Sequence, residues 1–263
     1  MPLTTPTHAF VRAPSTAYAR CLREQPCAID VGVATQQHDG YVAALRDAGI
    51  DVQWLPPLVD APDATFVEDT AVVVDGAALV THPGALARRE ETPSVAAVLA
   101  SSMAITHMHG PATLDGGDVM RCGDTLVVGH SQRTNEGGIA ALTEFAARFG
   151  LRTHVVQLAA GLHLKSACTM LDAATLLYWP GAFTIDALAP LRLDCIAVSE
   201  PAGANVLPFA DRVLMSDAAP RTAELVAKRG GAPRLLALSQ IHAGDGALTC
   251  LSLRVPPAGA WVA

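Results

Sequence analysis

The chain has 263 residues, of which 51% are hydrophobic and 16% charged, and carries a net charge of −7. That balance provides for a large core and excludes intrinsic disorder, while the acidic surface argues against nucleic acid as a partner and suits a cationic ligand. The apolar stretch from Val67 to Val80 is broken by Glu68, Asp69 and Asp75, so no run approaches the ~20 apolar residues of a membrane span.

The six cysteines, Cys21, Cys27, Cys122, Cys168, Cys195 and Cys250, are widely spaced with no Cys-x-x-Cys pair, and Met1 to Thr5 has neither a basic nor an apolar run. Reduced thiols and a cytoplasmic location are expected.

His8 to Arg12 reads as a strand, and Ala13 to Pro26 as an irregular flap with prolines near both ends. Gln36 to Ala48 has helical spacing and stops at Gly49, and Ile50 to Leu55 reads as a strand. Phe66–Val74 and Ala77–Thr81 flank Asp75-Gly76, a strong hairpin signal. A helix from about Arg88 to Ala100 and a strand near Met103 to Thr106 complete the unit.

The same order returns with Gly117–Arg121, a turn at Cys122-Gly123-Asp124, Thr125–Gly129, a helix from Asn135 to Phe149 and the strand Thr153–Leu158. It returns again at Leu164–Met170 and Thr175–Trp179, and once more at Ala204–Leu207 and Arg212–Met215, with a helix over Ala219–Lys228 and a strand over Arg234–Leu238. A last strand begins near Ala247. Strand and helix alternation alone allows an open parallel sheet. Hairpins recurring at about 40 to 50 residues favour radial repetition. The expected architecture is therefore an α/β propeller of five blades, repeated hairpin-helix-strand modules around a polar central channel, with residues 1–263 forming one domain.

Charged residues interrupt what the pattern predicts to be buried strands: Glu68-Asp69 in the first unit, Asp115 and Asp118 in the second, His163 and Lys165 in the third. Such charges must be paired, exposed at an axis or bound to something. Cys250 follows the turn cluster Gly244-Asp245-Gly246, a placement that presents a sulfur to a cleft. Taken singly, Cys250 reads as a small core hydrophobe and Asp75, Asp118 and Lys165 as turn or strand-end residues.

As a set, a cysteine nucleophile needs a general acid/base, for which His163 is available, and an acid to orient it, for which Asp115 is available. The remaining carboxylates, Asp63, Glu68 and Asp69, would raise a thiol pKa and so fit a cationic, planar guanidinium. Arg88 and Arg133 stand where they could hold a carboxylate.

The segments Phe66-Val67-Glu68-Asp69, Leu114-Asp115-Gly116-Gly117-Asp118-Val119, Ser131-Gln132-Arg133-Thr134-Asn135, Gly161-Leu162-His163-Leu164-Lys165-Ser166 and Asp245-Gly246-Ala247-Leu248-Thr249-Cys250 closely resemble the dimethylarginine dimethylaminohydrolase family of the guanidino-group-modifying (pentein) superfamily. The match runs from Asp63 to Cys250. The resemblance implies the same five-bladed propeller and hydrolysis of asymmetric dimethylarginine or monomethylarginine to citrulline and dimethylamine or methylamine. It implies Cys250 as nucleophile, His163 as general acid then base, and Asp115 as its carboxylate partner. Asp63, Glu68 and Asp69 would contact the amino and guanidino ends of the substrate, and Arg88 and Arg133 its carboxylate. Gly244 stands where relatives offer a backbone carbonyl, often from a branched aliphatic residue. Neither a metal nor an organic cofactor is implied, and the resemblance leaves room for a homodimer.

Arginine deiminases, which typically carry His-x-Asp where this chain has His163-Leu164-Lys165, are the near alternative. Amidinotransferases and a non-catalytic propeller are further ones. His107-Met108-His109 is the one other candidate metal ligand pair.

Overall fold

The chain enters through β1 (His8–Val11), crosses by α1 (Val31–Asp47) and returns as β2 (Asp51–Trp54), parallel to β1. In this computed structural model, which describes residues 5–209 and 212–257, the helix starts at Val31, ahead of the first periodic apolar position. Asp30 caps it, its Oδ1 accepting the Val33 N–H at 3.0 Å. Tyr41, Val42 and Leu45 then face the core.

Four units follow with one plan. The first has β3 (Ala71–Val74), β4 (Ala77–Val80), α2 (Thr92–Leu99) and β5 (Ala104–His107); the second β6 (Val119–Cys122), β7 (Thr125–His130), α3 (Glu136–Ala147) and β8 (Arg152–Gln157). The third begins with α4 (Leu164–Ala167), then β9 (Cys168–Met170), β10 (Thr175–Tyr178) and β11 (Asp194–Ala197), with a 3-10 segment, Ile185–Leu191, in the helix position. The fourth has β12 (Leu207–Phe209), β13 (Arg212–Ser216), α5 (Pro220–Lys228) and β14 (Pro233–Leu236). In each, the first two strands are antiparallel and the third lies parallel to the second. Asp75 (φ 45°) and Gly76 (φ 79°) supply the left-handed pair that a tight hairpin requires. The turn expected between residues 207 and 212 falls on 210 and 211, outside the described residues.

After α6 (Ser239–His242), the last strand among the described residues is β15 (Leu253–Val255), which pairs antiparallel with β1, Phe10 opposite Leu253 and His8 opposite Val255. The fifth sheet, β15-β1-β2, is thus assembled from both ends of the chain. The five small three-stranded sheets are the five blades of the expected propeller.

Two expectations are corrected. The stretch around Cys250 is not a hairpin or a strand, because Thr249–Leu251 forms a single 3-10 turn and the strand begins only at Leu253. The same holds at the other unit entries, where Val67–Thr70, Gly116–Asp118, Leu164–Ala167 and Pro201–Ala204 are one-turn helices. A strand would send every second side chain into an apolar layer. A helical turn ahead of the sheet keeps the polar side chains together at its end.

Apolar layers fill the space between neighbouring sheets. One unites Phe10 and Leu253 of the shared sheet with Val67, Ala78, Val95 and Leu99 of the first unit. Among the described residues no helix is long and apolar enough to cross a membrane. Phe10 is 3% exposed at the seam between the chain ends. Phe10→Ala is expected to cost ~3–5 kcal/mol in equilibrium urea unfolding.

Candidate active site

Of the nine residues singled out above, eight line one cavity at the sheet ends: Asp63, Asp69, Arg88, Asp115, Arg133, His163, Gly244 and Cys250. Glu68 turns to the opposite side of the axis, into a second cavity that Lys165 and Arg254 also line.

His163 is the residue ahead of the α4 turn, and Asp118 sets its position by accepting the Leu164 N–H at 2.9 Å. Its Nε2 lies 3.0 Å from Asp115 Oδ2, and its Nδ1 3.8 Å from Asp69 Oδ1. Asp115 is itself fixed, Oδ1 accepting the Gly84 N–H at 2.9 Å. Burial alone would lower the His163 pKa, but Asp69, the Asp115 hydrogen bond and Asp118 raise it to about 9. At neutral pH the ring is an imidazolium. Asp115 is held below the usual carboxylate range, its burial outweighed by His163, Arg88 and the Gly84 N–H.

Cys250 is 7% exposed, and its N–H donates to Ala247 O at 3.2 Å. Burial and the nearby Glu68 and Asp69 push its thiol pKa up to about 12. The resting pair is therefore a neutral thiol and a cationic imidazole. A cation that offset Glu68 and Asp69 would favour the thiolate.

Asp69 accepts the Gly117 N–H through Oδ1 at 2.9 Å and the Arg88 Nη1 donor through Oδ2. A Cβ on Gly117 would stand 2.7 Å from both Asp69 Oδ1 and His163 Nδ1, so this approach requires glycine. Every nitrogen of the Arg88 guanidinium is engaged: it donates to Glu91 at 3.1 and 2.8 Å and to the carbonyls of Phe66 and Asp63 at 2.8 and 3.3 Å, besides Asp69. Burial opposes its charge, yet Glu91 and Asp69 hold its pKa well above the ordinary value. The Arg133 guanidinium, by contrast, makes no hydrogen bond among the described residues, and the Arg133 N–H donates to Ser131 Oγ at 3.0 Å. Asp63 accepts the Leu22 N–H at 3.0 Å, and burial raises its pKa against the pull of Arg88, Leu22 and Arg133.

Glu68 Oε1 pairs with Lys165 Nζ and Arg254 Nη2, each at 2.7 Å. Lys165 therefore neutralises a carboxylate behind the site. The segment expected as a flap packs across the loop ahead of Cys250. Tyr18 OH donates to Gln240 O at 3.1 Å, and the Glu24 N–H to Asp245 Oδ2 at 2.6 Å. Leu22 borders the mouth. Gly244 lies under this flap, where a Cβ would be 2.5 Å from Tyr18 Oη and 3.0 Å from Cys21 Sγ.

Sequence reasoning missed Glu91, Arg254, Leu22 and Tyr18, and discounted Asp118. Only Asp118 had left a signal, a charge beside an apolar run; Glu91 acts through the neighbouring Arg88, and Arg254, Leu22 and Tyr18 through partners far away in the chain. His107 and His109 stack with centroids 6.4 Å apart. Among the described residues no third metal-ligating side chain joins them, whereas Asp69, Asp115 and His163 do cluster.

A family model described as "Arginine deiminase" matches residues 57–189. The N(G),N(G)-dimethylarginine dimethylaminohydrolase of Streptomyces coelicolor is 39% identical over 254 residues, covering 94% of this chain and 96% of its own. The Pseudomonas aeruginosa protein of the same name is 31% identical over 227 residues, with 86% and 89% covered. A solved Pseudomonas aeruginosa structure of that enzyme, a mutant complexed with citrulline, matches with a TM-score of 0.89 at 29% identity, covering 95% of this chain and 99% of its own. The N-terminal domain of a cyanobacterial arginine dihydrolase shares the fold at 18% identity and a TM-score of 0.86, with 95% and 98% covered.

Two tests follow from this geometry. Because the folded His163 pKa of about 9 lies above its ordinary 6.5, its stabilisation is complete below about pH 6.5 and is lost as pH rises through about 9. Unfolding free energy is expected to fall across that window, and His163→Gln to remove this part of the fall. Gly244→Ile drives a side chain into Tyr18, and is expected to cost ~1–3 kcal/mol and to speed proteolysis within residues 13–26.

Proposed function

This chain belongs to the dimethylarginine dimethylaminohydrolase family, and from that premise we propose how it hydrolyses Nω-methylated arginines to citrulline and a methylamine. The observation that carries the reading is the convergence of a buried cysteine, a carboxylate-paired histidine and spare carboxylates on one cavity. Six unpaired cysteines support a reducing compartment, the cytoplasm.

The substrate guanidinium enters beside Asp69. The substrate's amino group pairs with Asp63. Its carboxylate meets Arg133, whose donors are unspent, with the positive charge of Arg88 next to it. Arg88 also holds Asp69 in place. Bringing a permanent cation beside Cys250 offsets the two carboxylates that hold its proton, so the thiol releases the proton to solvent and the thiolate forms next to its target.

Cys250 Sγ then bonds to the central guanidino carbon, giving a tetrahedral adduct. His163, already an imidazolium, donates its proton to the departing dimethylamine or methylamine as the C–N bond breaks, leaving a thiouronium on sulfur. The neutral imidazole next takes a proton from water, and the resulting hydroxide adds to the same carbon. Collapse breaks the C–S bond, frees citrulline and returns the cysteine. Asp115 holds the ring in line and stabilises its charge throughout.

Lys165 favours methylated substrates over arginine. It stands where a deiminase typically has an aspartate, and it occupies Glu68 in place of adding a further grip on an unmethylated guanidinium.

The decisive measurement is citrulline formation from asymmetric dimethylarginine, monomethylarginine and arginine by the wild type, Cys250→Ser and Arg133→Ala. Turnover of the methylated substrates, little with arginine and none by Cys250→Ser is expected. Arg133→Ala should raise KM by about 10-fold or more, the worth of a charge-assisted hydrogen bond. Preference for arginine would make the chain a deiminase, and silence on all three would point to another guanidine or to amidino transfer.

A further inference from the structure

The two reacting groups come from different units, His163 from the start of the third and Cys250 from the end of the chain. Their relative placement therefore needs a link between the turns that carry them. We propose that Asn205 is that link, a positioning residue that sets the nucleophile against its general acid/base. The inference rests on the roles assigned above to Cys250 and His163.

Asn205 lies between the 3-10 turn Pro201–Ala204 and β12, and is 2% exposed. Its amide Nδ2 donates to the Lys165 carbonyl at 2.8 Å, two residues beyond His163, and to Thr249 Oγ1 at 2.9 Å, one residue before Cys250. Its Oδ1 accepts the Thr249 N–H at 3.1 Å. Both amide protons are thus spent, one on each catalytic turn. The orientation of the amide follows from its partners, since the Lys165 carbonyl can only accept and the Thr249 N–H can only donate.

The support behind Asn205 is rigid. Thr169 Oγ1 donates to the carbonyl of Ala204 at 2.7 Å and accepts the N–H of Val206 at 2.9 Å, so the residues on both sides of Asn205 are pinned to the third sheet. Thr249 is held from its other side as well, its carbonyl accepting Arg254 Nη1 at 3.0 Å. Arg254 ties that turn to Glu68, whereas Asn205 ties it to the turn bearing His163. Losing Asn205 frees the separation between sulfur and imidazole while leaving the carboxylates, Arg133 and the charges around Cys250 in place.

Asn205→Ala and Asn205→Asp in the full chain test the proposal, with Cys250→Ser and His163→Gly alongside. The aspartate keeps the shape and the acceptor for Thr249 but offers no donor to the Lys165 carbonyl, so it cuts the link while adding one carboxylate, and serves if the alanine variant does not fold. The expected result with monomethylarginine is a kcat lowered by about 10²-fold, the cost of a misplacement near 1 Å, in either Asn205 variant, with KM within threefold of wild type. In Asn205→Ala the pH midpoint for alkylation of Cys250 by iodoacetamide stays where it is in wild type. A kcat within threefold of wild type overturns the proposal. So does a joint loss of kcat and KM with a lowered Tm, which marks general loosening. Turnover by Cys250→Ser or His163→Gly would instead overturn the assignment beneath it, whatever Asn205 does.

Discussion

Asp69, Asp115, Asp118 and Glu68 are among the carboxylates buried where the five units meet, and a buried carboxylate without donors costs several kcal/mol. Each of these four takes at least one donor from another unit. Asp69 of the first takes the Gly117 N–H of the second, and Asp115 takes the Gly84 N–H of the first and the ring of His163 of the third. Asp118 takes the Leu164 N–H, and Glu68 takes Lys165 and Arg254. The polar contacts that make burial tolerable are the ones that lock neighbouring units in register. Stability and site geometry therefore share the same hydrogen bonds.

That arrangement also explains the resting protonation. Negative charge packed around the axis holds a proton on His163 and on Cys250 together, a state unable to attack an electrophile but ready to receive a cation. The guanidinium completes the charge balance that the protein leaves open. On the proposed mechanism, selectivity for a cationic substrate and activation of Cys250 thus have one physical origin.

The glycines of the site serve this economy of space. Gly117 lets a peptide N–H reach Asp69 while His163 lies against the same atom, and Gly244 lets the flap settle on the loop ahead of Cys250. Arg88 has a parallel role in charge: it stays buried because Asp69, Glu91 and the Phe66 carbonyl engage its guanidinium.

Much of this was legible in the chain. Hairpin signals such as Asp75-Gly76, helix-period faces such as Leu142 and Phe145, and the repeat of about 40 to 50 residues determined the five-unit plan, because local periodicity and turn chemistry act over a few residues. Most of the residues that line the central cavity were legible too, because charges in apolar runs are conspicuous. Only the tertiary structure decided that the polar entries are helical turns, that β15 pairs with β1, that Glu68 faces Lys165 and Arg254 rather than the cavity, and that the Arg88 guanidinium is engaged by protein groups while that of Arg133 is not. Most of these depend on partners far apart in the chain. A side chain's free donors are known only when its neighbours are in place.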